Sequence, residues 1–286
     1  MVNVSSPGWD TVIVSKRNRN EYDSPQSTRR TQSFNLLFIK MFKRKIFSVF
    51  SVSSVVNKTQ NQYKMNVTDN LKQVLAELPS GVRLVAVSKF HPNEAIEEAY
   101  RAGQRIFGES KVQEMTGKYE SLPKDIEWHF IGHLQTNKIK YMAPYVSMIH
   151  GIDSYKLLAE VNKQAIKAGR VIRCLLQIHI AQEETKFGFS FDECKEMLNA
   201  DEWKALANIQ ICGLMGMATN TDSKEQIERE FRSLNCFFHE VKKQYFADEP
   251  TFCELSMGMS HDYRLAIAEG STLVRVGSKI FGERVY

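Results

Sequence analysis

Eight short runs rich in β-branched and aromatic residues punctuate the chain from residue 83 to residue 278. They cover residues 83–89, 105–110, 127–132, 146–153, 173–180, 209–219, 251–258 and 273–278. Most are near-continuously apolar rather than alternating. That pattern marks strands buried on both faces, as in a parallel sheet. Between them lie stretches with helical spacing, such as residues 93–102, 154–168 and 225–245. In the last of these Ile227, Phe231, Leu234 and Phe238 recur at three- and four-residue steps, with charges on the other side. Gly103, Gly169 and Gly270 stand where such helices should stop. The expectation is an α/β chain whose βα units, packed into about 200 residues, close into a single (β/α)8 TIM barrel. An open doubly wound sheet is the structural alternative. No G-x-G-x-x-G follows any run, which weighs against dinucleotide binding.

Charge is distributed unevenly. The formal net charge is +5, yet residues 1–64 alone carry eleven Lys/Arg against three acids, a surplus of +8. Residues 65–286 are therefore −3. A nucleic-acid partner, which needs a basic surface on the folded part, is not expected. The basic segment also holds ten serines and no sustained apolar period. It reads as a disordered extension, either a mitochondrial transit peptide or upstream sequence preceding an initiator at Met41 or Met65. The domain expectation is thus 1–64 as extension and 65–286 as barrel.

No apolar run approaches the roughly 18–20 residues a spanning helix needs, so no membrane partner is expected. The five cysteines, Cys174, Cys194, Cys212, Cys236 and Cys253, are odd in number and form no C-x-x-C pair. A disulfide framework and a zinc site are both disfavoured, and a reducing compartment, the cytoplasm, fits. Cys174, Cys212 and Cys253 fall within runs and are expected to be buried hydrophobes.

Active residues of such barrels sit where strands end. Lys89 ends the first run after the apolar Leu84–Val87. At a barrel mouth, desolvation would lower its pKa and yield an amine able to attack an aldehyde; otherwise it is a solvated lysine. The last run reads Val274-Arg275-Val276-Gly277-Ser278. Barrels often bind phosphate after strands seven and eight, through backbone N–H groups at a short helix start. Gly277 permits close approach of an anion, and Ser278 adds a hydroxyl. Ser256, Gly258 and Ser260 close the adjoining run. A lysine for an aldehyde beside a phosphate cradle points to a phosphorylated aldehyde, with pyridoxal 5′-phosphate the first candidate and other phosphate-bearing ligands open.

Residues 65–286 closely resemble the pyridoxal phosphate homeostasis protein family, of the YggS/PROSC type. The motifs are Val85-Ala86-Val87-Ser88-Lys89, Phe107-Gly108-Glu109 with Val112-Gln113-Glu114, and Trp128-His129-Phe130-Ile131-Gly132 with Leu134-Gln135-Thr136-Asn137-Lys138. Gly213-Leu214-Met215, Leu255–Ser260 with Asp262, and Gly270–Ser278 with Phe281-Gly282 complete them. The resemblance implies a barrel like the N-terminal domain of alanine racemase, holding pyridoxal phosphate for intracellular homeostasis without established catalysis. It casts Lys89 as the Schiff-base lysine and Ser256, Gly277 and Ser278 as phosphate ligands. Arg275 would face the cofactor, at its ring nitrogen or its phosphate. An arginine at the ring nitrogen disfavours the pyridinium and weakens the electron sink. No residue is thereby cast as catalytic.

Two positions depart from the family pattern. Ser110 follows Gly108-Glu109 where the family usually has asparagine, and His179 stands at another such position. His129 and His133 form a weak metal-pair candidate, and a structural role is the expectation because no acid or thiol lies at ligand spacing. His150 and His261 read as hydrogen-bonded filler, although His261 is near enough to a strand end to line a site. Glu183, Glu184 and Lys186 follow the fifth run and either cover a cofactor or are solvated. Met215, Met217, Met257 and Met259 read as core or pocket lining. The competing function is an amino-acid racemase or decarboxylase of the same fold. Those enzymes append a second domain, for which eight residues after Ser278 leave no room. On the same ground a monomer is expected, with pyridoxal-phosphate-dependent apoenzymes as recipients.

Overall fold

A computed structural model describes residues 66–183 and 187–283. The expected extension, residues 1–64, lies outside the described residues, as do Glu184, Lys186 and the last three positions. Among the described residues, eight parallel strands form one closed barrel in sequence order. They are β1 (Arg83–Val87), β2 (Ile106–Glu109), β3 (Glu127–Phe130), β4 (Met148–Ile152), β5 (Ile172–Ile178), β6 (Ile209–Gly216), β7 (Glu254–Ser256) and β8 (Leu273–Val276). The seam is β1 against β8, with Arg83 opposite Leu273 and Val85 opposite Arg275. Closure excludes the open doubly wound alternative.

Helices intervene: α1 (Val67–Ala76), α2 (Asn93–Arg101), α3 (Val112–Ser121), α4 (Ile139–Met142), α5 (Tyr155–Lys167), α6 (Phe191–Asn199), α7 (Lys224–Tyr245), α8 (Tyr263–Ala268) and α9 (Ser278–Phe281). The periodicity at 225–245 is realised in α7, which buries Ile227, Phe231, Leu234 and Phe238. Ser223 caps it, accepting the Gln226 N–H at 3.3 Å. Gly103 and Gly169 follow α2 and α5 with φ of +105° and +63°. Helix α1 was not foreshadowed by the strand pattern. It buries Val67, Leu71 and Val74, and Asn70 donates to the Ile280 carbonyl of α9 at 3.1 Å.

The strand period of two separates two cores. Leu84 and Ala86 of β1 join the large layer between sheet and helices, with Phe107, Trp128 and Phe130. Val85 points the other way, into a small interior cluster with Met148, Leu175, Cys212, Met215 and Leu273. The same alternation corrects one expectation. Cys174 and Cys212 are buried, but Cys253 is exposed. It precedes the short β7 and sits between buried Phe252 and Glu254, so the period turns it outward.

At the N-terminal ends of the strands the interior is ionic. Glu254 at the start of β7 accepts from Arg83 at the start of β1 and from Arg173 of β5, the latter at 3.1 Å. These strands are not neighbours, so the side chains meet across the barrel.

Candidate functional site

At the opposite rim, β1 ends at Val87 and Lys89 follows in a turn closed by the His91 N–H on the Ser88 carbonyl, 3.0 Å. Phe90 adopts φ +68°. For an aromatic residue that conformation carries a cost of roughly 1–3 kcal/mol and persists only where its surroundings hold it. Here the Phe90 N–H donates to Glu114 Oε1 at 2.6 Å. Across the seam β8 ends at Val276, and Gly277 leads into α9. A Cβ at Gly277 would stand 2.9 Å from the Val87 carbonyl oxygen, so only glycine lets these strand ends approach so closely.

Between them lies a cavity of about 220 Å³. Its polar lining comes from Lys89, Ser260, His261, Arg275 and Ser278, with Gly277 as bare backbone. Val87, Ile131, Met217 and Met259 supply apolar wall. The first N–H groups of α9 have no acceptor within so short a helix, which is the arrangement that receives an anion. The Gly277 N–H donates to Ser260 Oγ at 3.1 Å.

Arg275 is 4% exposed. Its Nη1 donates to Ser256 Oγ at 2.6 Å and its Nη2 to the Gly216 carbonyl at 3.0 Å. Both acceptors are neutral, and among the described residues no carboxylate lies within ion-pair distance of it. Burial lowers its pKa to about 10, partly offset by the field of Asp262. A buried guanidinium answered only by dipoles is a standing demand for an acceptor from outside the chain.

Ser256 stands one layer deeper than the cavity lining. Its hydroxyl meets His150 Nδ1 at 3.0 Å, and His150 Nε2 meets His129 Nδ1 at 3.0 Å. Both imidazoles are fully buried. Burial drives His129 down to about 3 and His150 well below its ordinary value, so both rings are neutral at physiological pH. His129 Nε2 has no partner. Leaving a lone pair bare there is cheaper than leaving an N–H bare. The favoured polarity therefore runs His129 to His150 to Ser256, and the serine proton stays uncommitted within the relay.

His129 and His133 are not brought together, since His133 is exposed, stacks on Phe187 at 3.9 Å and faces Asp153 at 3.3 Å. His150 is hydrogen-bonded interior, as its sequence context implied. His261 is not filler: it is half-exposed and lines the cavity. Met217 and Met259 line the cavity, whereas Met257 is core and Met215 belongs to the barrel interior. Ser110 lines a separate cavity of about 190 Å³ with Lys111, His133 and Lys138. His179 shares a hydrogen bond with the Glu183 carbonyl at 2.9 Å. Ile131 was missed as cavity wall, because an aliphatic residue after a strand carries no chemical signal.

Residues 64–285 match the family described as alanine racemase, N-terminal domain. A pyridoxal phosphate homeostasis protein of Aquifex aeolicus is 38% identical over 233 residues, covering 78% of this chain and all of the relative. The structure of PipY from Synechococcus elongatus with pyridoxal phosphate bound is 36% identical, with a TM-score of 0.68 over 76% of this chain and all of that one. An alanine racemase of Clostridium difficile, 13% identical, shares the fold alone, with a TM-score of 0.63 over 76% of this chain and 56% of the racemase. The chain belongs to the pyridoxal phosphate homeostasis protein family, within the alanine racemase N-terminal-domain fold.

Proposed function

We propose that this protein binds pyridoxal 5′-phosphate at the β1–β8 mouth and serves intracellular cofactor homeostasis, buffering and delivering it rather than turning over substrate. The observation that carries the reading is the cavity in which a lysine amine, a helix start and an acid-free buried arginine converge. Its donor set fits the group: an amine for a carbonyl, backbone and hydroxyl donors for a phosphate, and aliphatic walls for a ring. When bound there, pyridoxal phosphate supplies an aldehyde that condenses with a primary amine by loss of water.

Lys89 offers that amine. Gly277 lets its bare backbone approach the phosphate while its own N–H is held by Ser260, and Ser278 offers N–H and hydroxyl donors. Arg275 presents its remaining N–H groups to the phosphate or the ring nitrogen. Ser256, locked to Arg275 and His150, holds the guanidinium in place. Val87, Ile131, Met217 and Met259 exclude water from the faces of a ring. A cation that cannot give up its proton to a ring nitrogen keeps the electron sink weak, which suits a carrier. Recipient apoenzymes are the partners that role requires, and the barrel works as a monomer. Among the described residues no helix is long and apolar enough to cross a membrane. The cytoplasm is the proposed compartment, or the mitochondrion if residues 1–64 act as a transit peptide.

Borohydride reduction after incubation with pyridoxal phosphate, followed by peptide mass spectrometry, tests the site. The expected adduct is on Lys89; an adduct on another lysine, or none, overturns it. The holo-protein incubated with L-amino acids is expected to show no product formation above that of free pyridoxal phosphate. Turnover well above that level would establish the racemase or decarboxylase reading instead.

A further inference from the structure

Both neighbours of Lys89 are gripped by one buried cluster that the cofactor reading leaves unused. Ser88 Oγ donates to Glu109 Oε1 at 2.6 Å. Lys118, on α3, spends its three donors on the Ser88 carbonyl at 2.9 Å, Glu109 Oε1 at 2.8 Å and Glu114 Oε1 at 2.7 Å. The Glu114 oxygen that receives Lys118 also receives the Phe90 N–H. Lys118 is 7% exposed and Glu109 is wholly buried. Glu109 Oε2 has no partner, and burial raises the pKa of that carboxyl.

Stability alone is a poor reason for such a cluster. A buried ion pair commonly contributes no more than apolar residues of the same volume, whereas breaking one is costly. What the cluster does uniquely is local. It clamps the residue before Lys89 through two groups and the residue after it through one. It thereby keeps Phe90 in a left-handed conformation that an aromatic residue does not adopt unaided.

We propose that Lys118, Glu109 and Glu114 are positioning residues that lock the Ser88–Phe90 turn and so aim the Lys89 amine into the cavity. The inference rests on Lys89 being the aldehyde-binding amine, but its test can be read without the cofactor.

Glu114, in the first turn of α3 and partly exposed, is the residue to change. Glu114→Ala removes the acceptor for Phe90 and for Lys118, while Glu114→Gln keeps an oxygen in the same place. In the apoprotein, Glu114→Ala is expected to speed hydrogen exchange of the Phe90 amide by about tenfold. It should also move the acetylation rate of Lys89 to that of the exposed Lys72. After cofactor addition, borohydride trapping on Lys89 is expected to slow by about tenfold, and Glu114→Gln to stay within about twofold of wild type throughout. Ser88→Ala leaves Glu114 and Lys118 intact but removes the hydroxyl anchor to Glu109, and should slow trapping too, which keeps the test open if Glu114→Ala does not fold. The proposal is overturned if the Phe90 amide opens while Lys89 acetylation and trapping are unchanged. It is equally overturned if wild-type Lys89 already acetylates like Lys72. A wild-type protein that traps no cofactor on Lys89 defeats the binding reading, and the apoprotein measurements still decide the positioning.

Discussion

The two ends of the barrel handle buried charge in opposite ways. At the N-terminal end, the partly exposed Arg83 and Arg173 converge on one buried carboxylate, Glu254, so the buried anion there has its cations within the protein. At the C-terminal end, the buried Arg275 is met only by a serine hydroxyl and a backbone carbonyl. A compensated cluster joins β1, β5 and β7 across the interior and is a matter of stability. An uncompensated cation beside a cavity leaves an acceptor to be supplied, which the proposed phosphate-bearing ligand would provide. The contrast shows why function cannot be assigned from the presence of interior arginines alone: what matters is whether the chain supplies their partner.

The sharpest break of that contrast is Lys89→Ala, expected to abolish the borohydride-fixed adduct while leaving the melting temperature of the apoprotein nearly unchanged. At the other end, Glu254→Ala removes the buried acceptor of two guanidinium groups that are 40% and 34% exposed and so still reach water, and it is expected to cost about 1 kcal/mol of stability. For a domain of this size that lowers Tm by roughly 2–4 °C, with adduct formation per folded molecule intact. Arg275→Met should do the reverse. The apoprotein melts no lower, because a buried charge without an anion is gone, while affinity for pyridoxal phosphate falls roughly ten- to hundredfold by equilibrium titration. If Glu254→Ala weakens binding and Arg275→Met weakens folding, the division between the two ends is wrong.

A further effect, read against pH rather than by a single substitution, concerns the neutral relay beneath Arg275. Burial holds His129 at about 3 and His150 well below its ordinary value. In the unfolded chain both rings take up protons near pH 6.5. As pH falls from there toward about 3, the unfolded state therefore binds more protons, and stability is lost with acid. For His129 alone the loss at pH 5 relative to neutrality is about 2 kcal/mol. Urea midpoints at pH 7 and pH 5 should diverge in wild type and converge in a His129→Gln/His150→Gln variant. A wild-type midpoint that does not move would place these rings in contact with water.

The strands were legible because burial on both faces writes a continuous apolar run, and each expected run contains its strand except the fifth, where β5 begins one residue earlier, at Ile172. Their ends were overestimated. Lys89, Gly132 and Gly258 fall in turns beyond β1, β3 and β7, because rim residues keep the composition of the strand after the ladder has stopped. Lys89, Arg275, Gly277 and Ser278 line one cavity, as strand-end logic anticipated, and Ser256 sits one layer beneath them. What the sequence concealed was long-range pairing. Nothing local distinguishes Lys118 from any helix lysine with a glutamate four positions earlier, yet its ammonium reaches the residue after β1 and the last residue of β2. Cys253 and His261 were misjudged for a related reason: a one-residue change in direction decides exposure at a rim.

The seam between β1 and β8 has a temporal consequence. On the proposed site, the amine and the anion cradle would come from the ends of the first and the last strands of the barrel, and a growing polypeptide carries Lys89 long before it carries Gly277 and Ser278. Contacts so distant along the chain are also the slowest to close, because the longest loop must be restricted to make them. A reactive aldehyde therefore meets a finished receptor only when synthesis and barrel closure are both complete. Under that assignment, loading with cofactor would report on the integrity of the whole barrel, and a chain truncated before residue 273 would keep the proposed nucleophile but lose the means to retain what it captures.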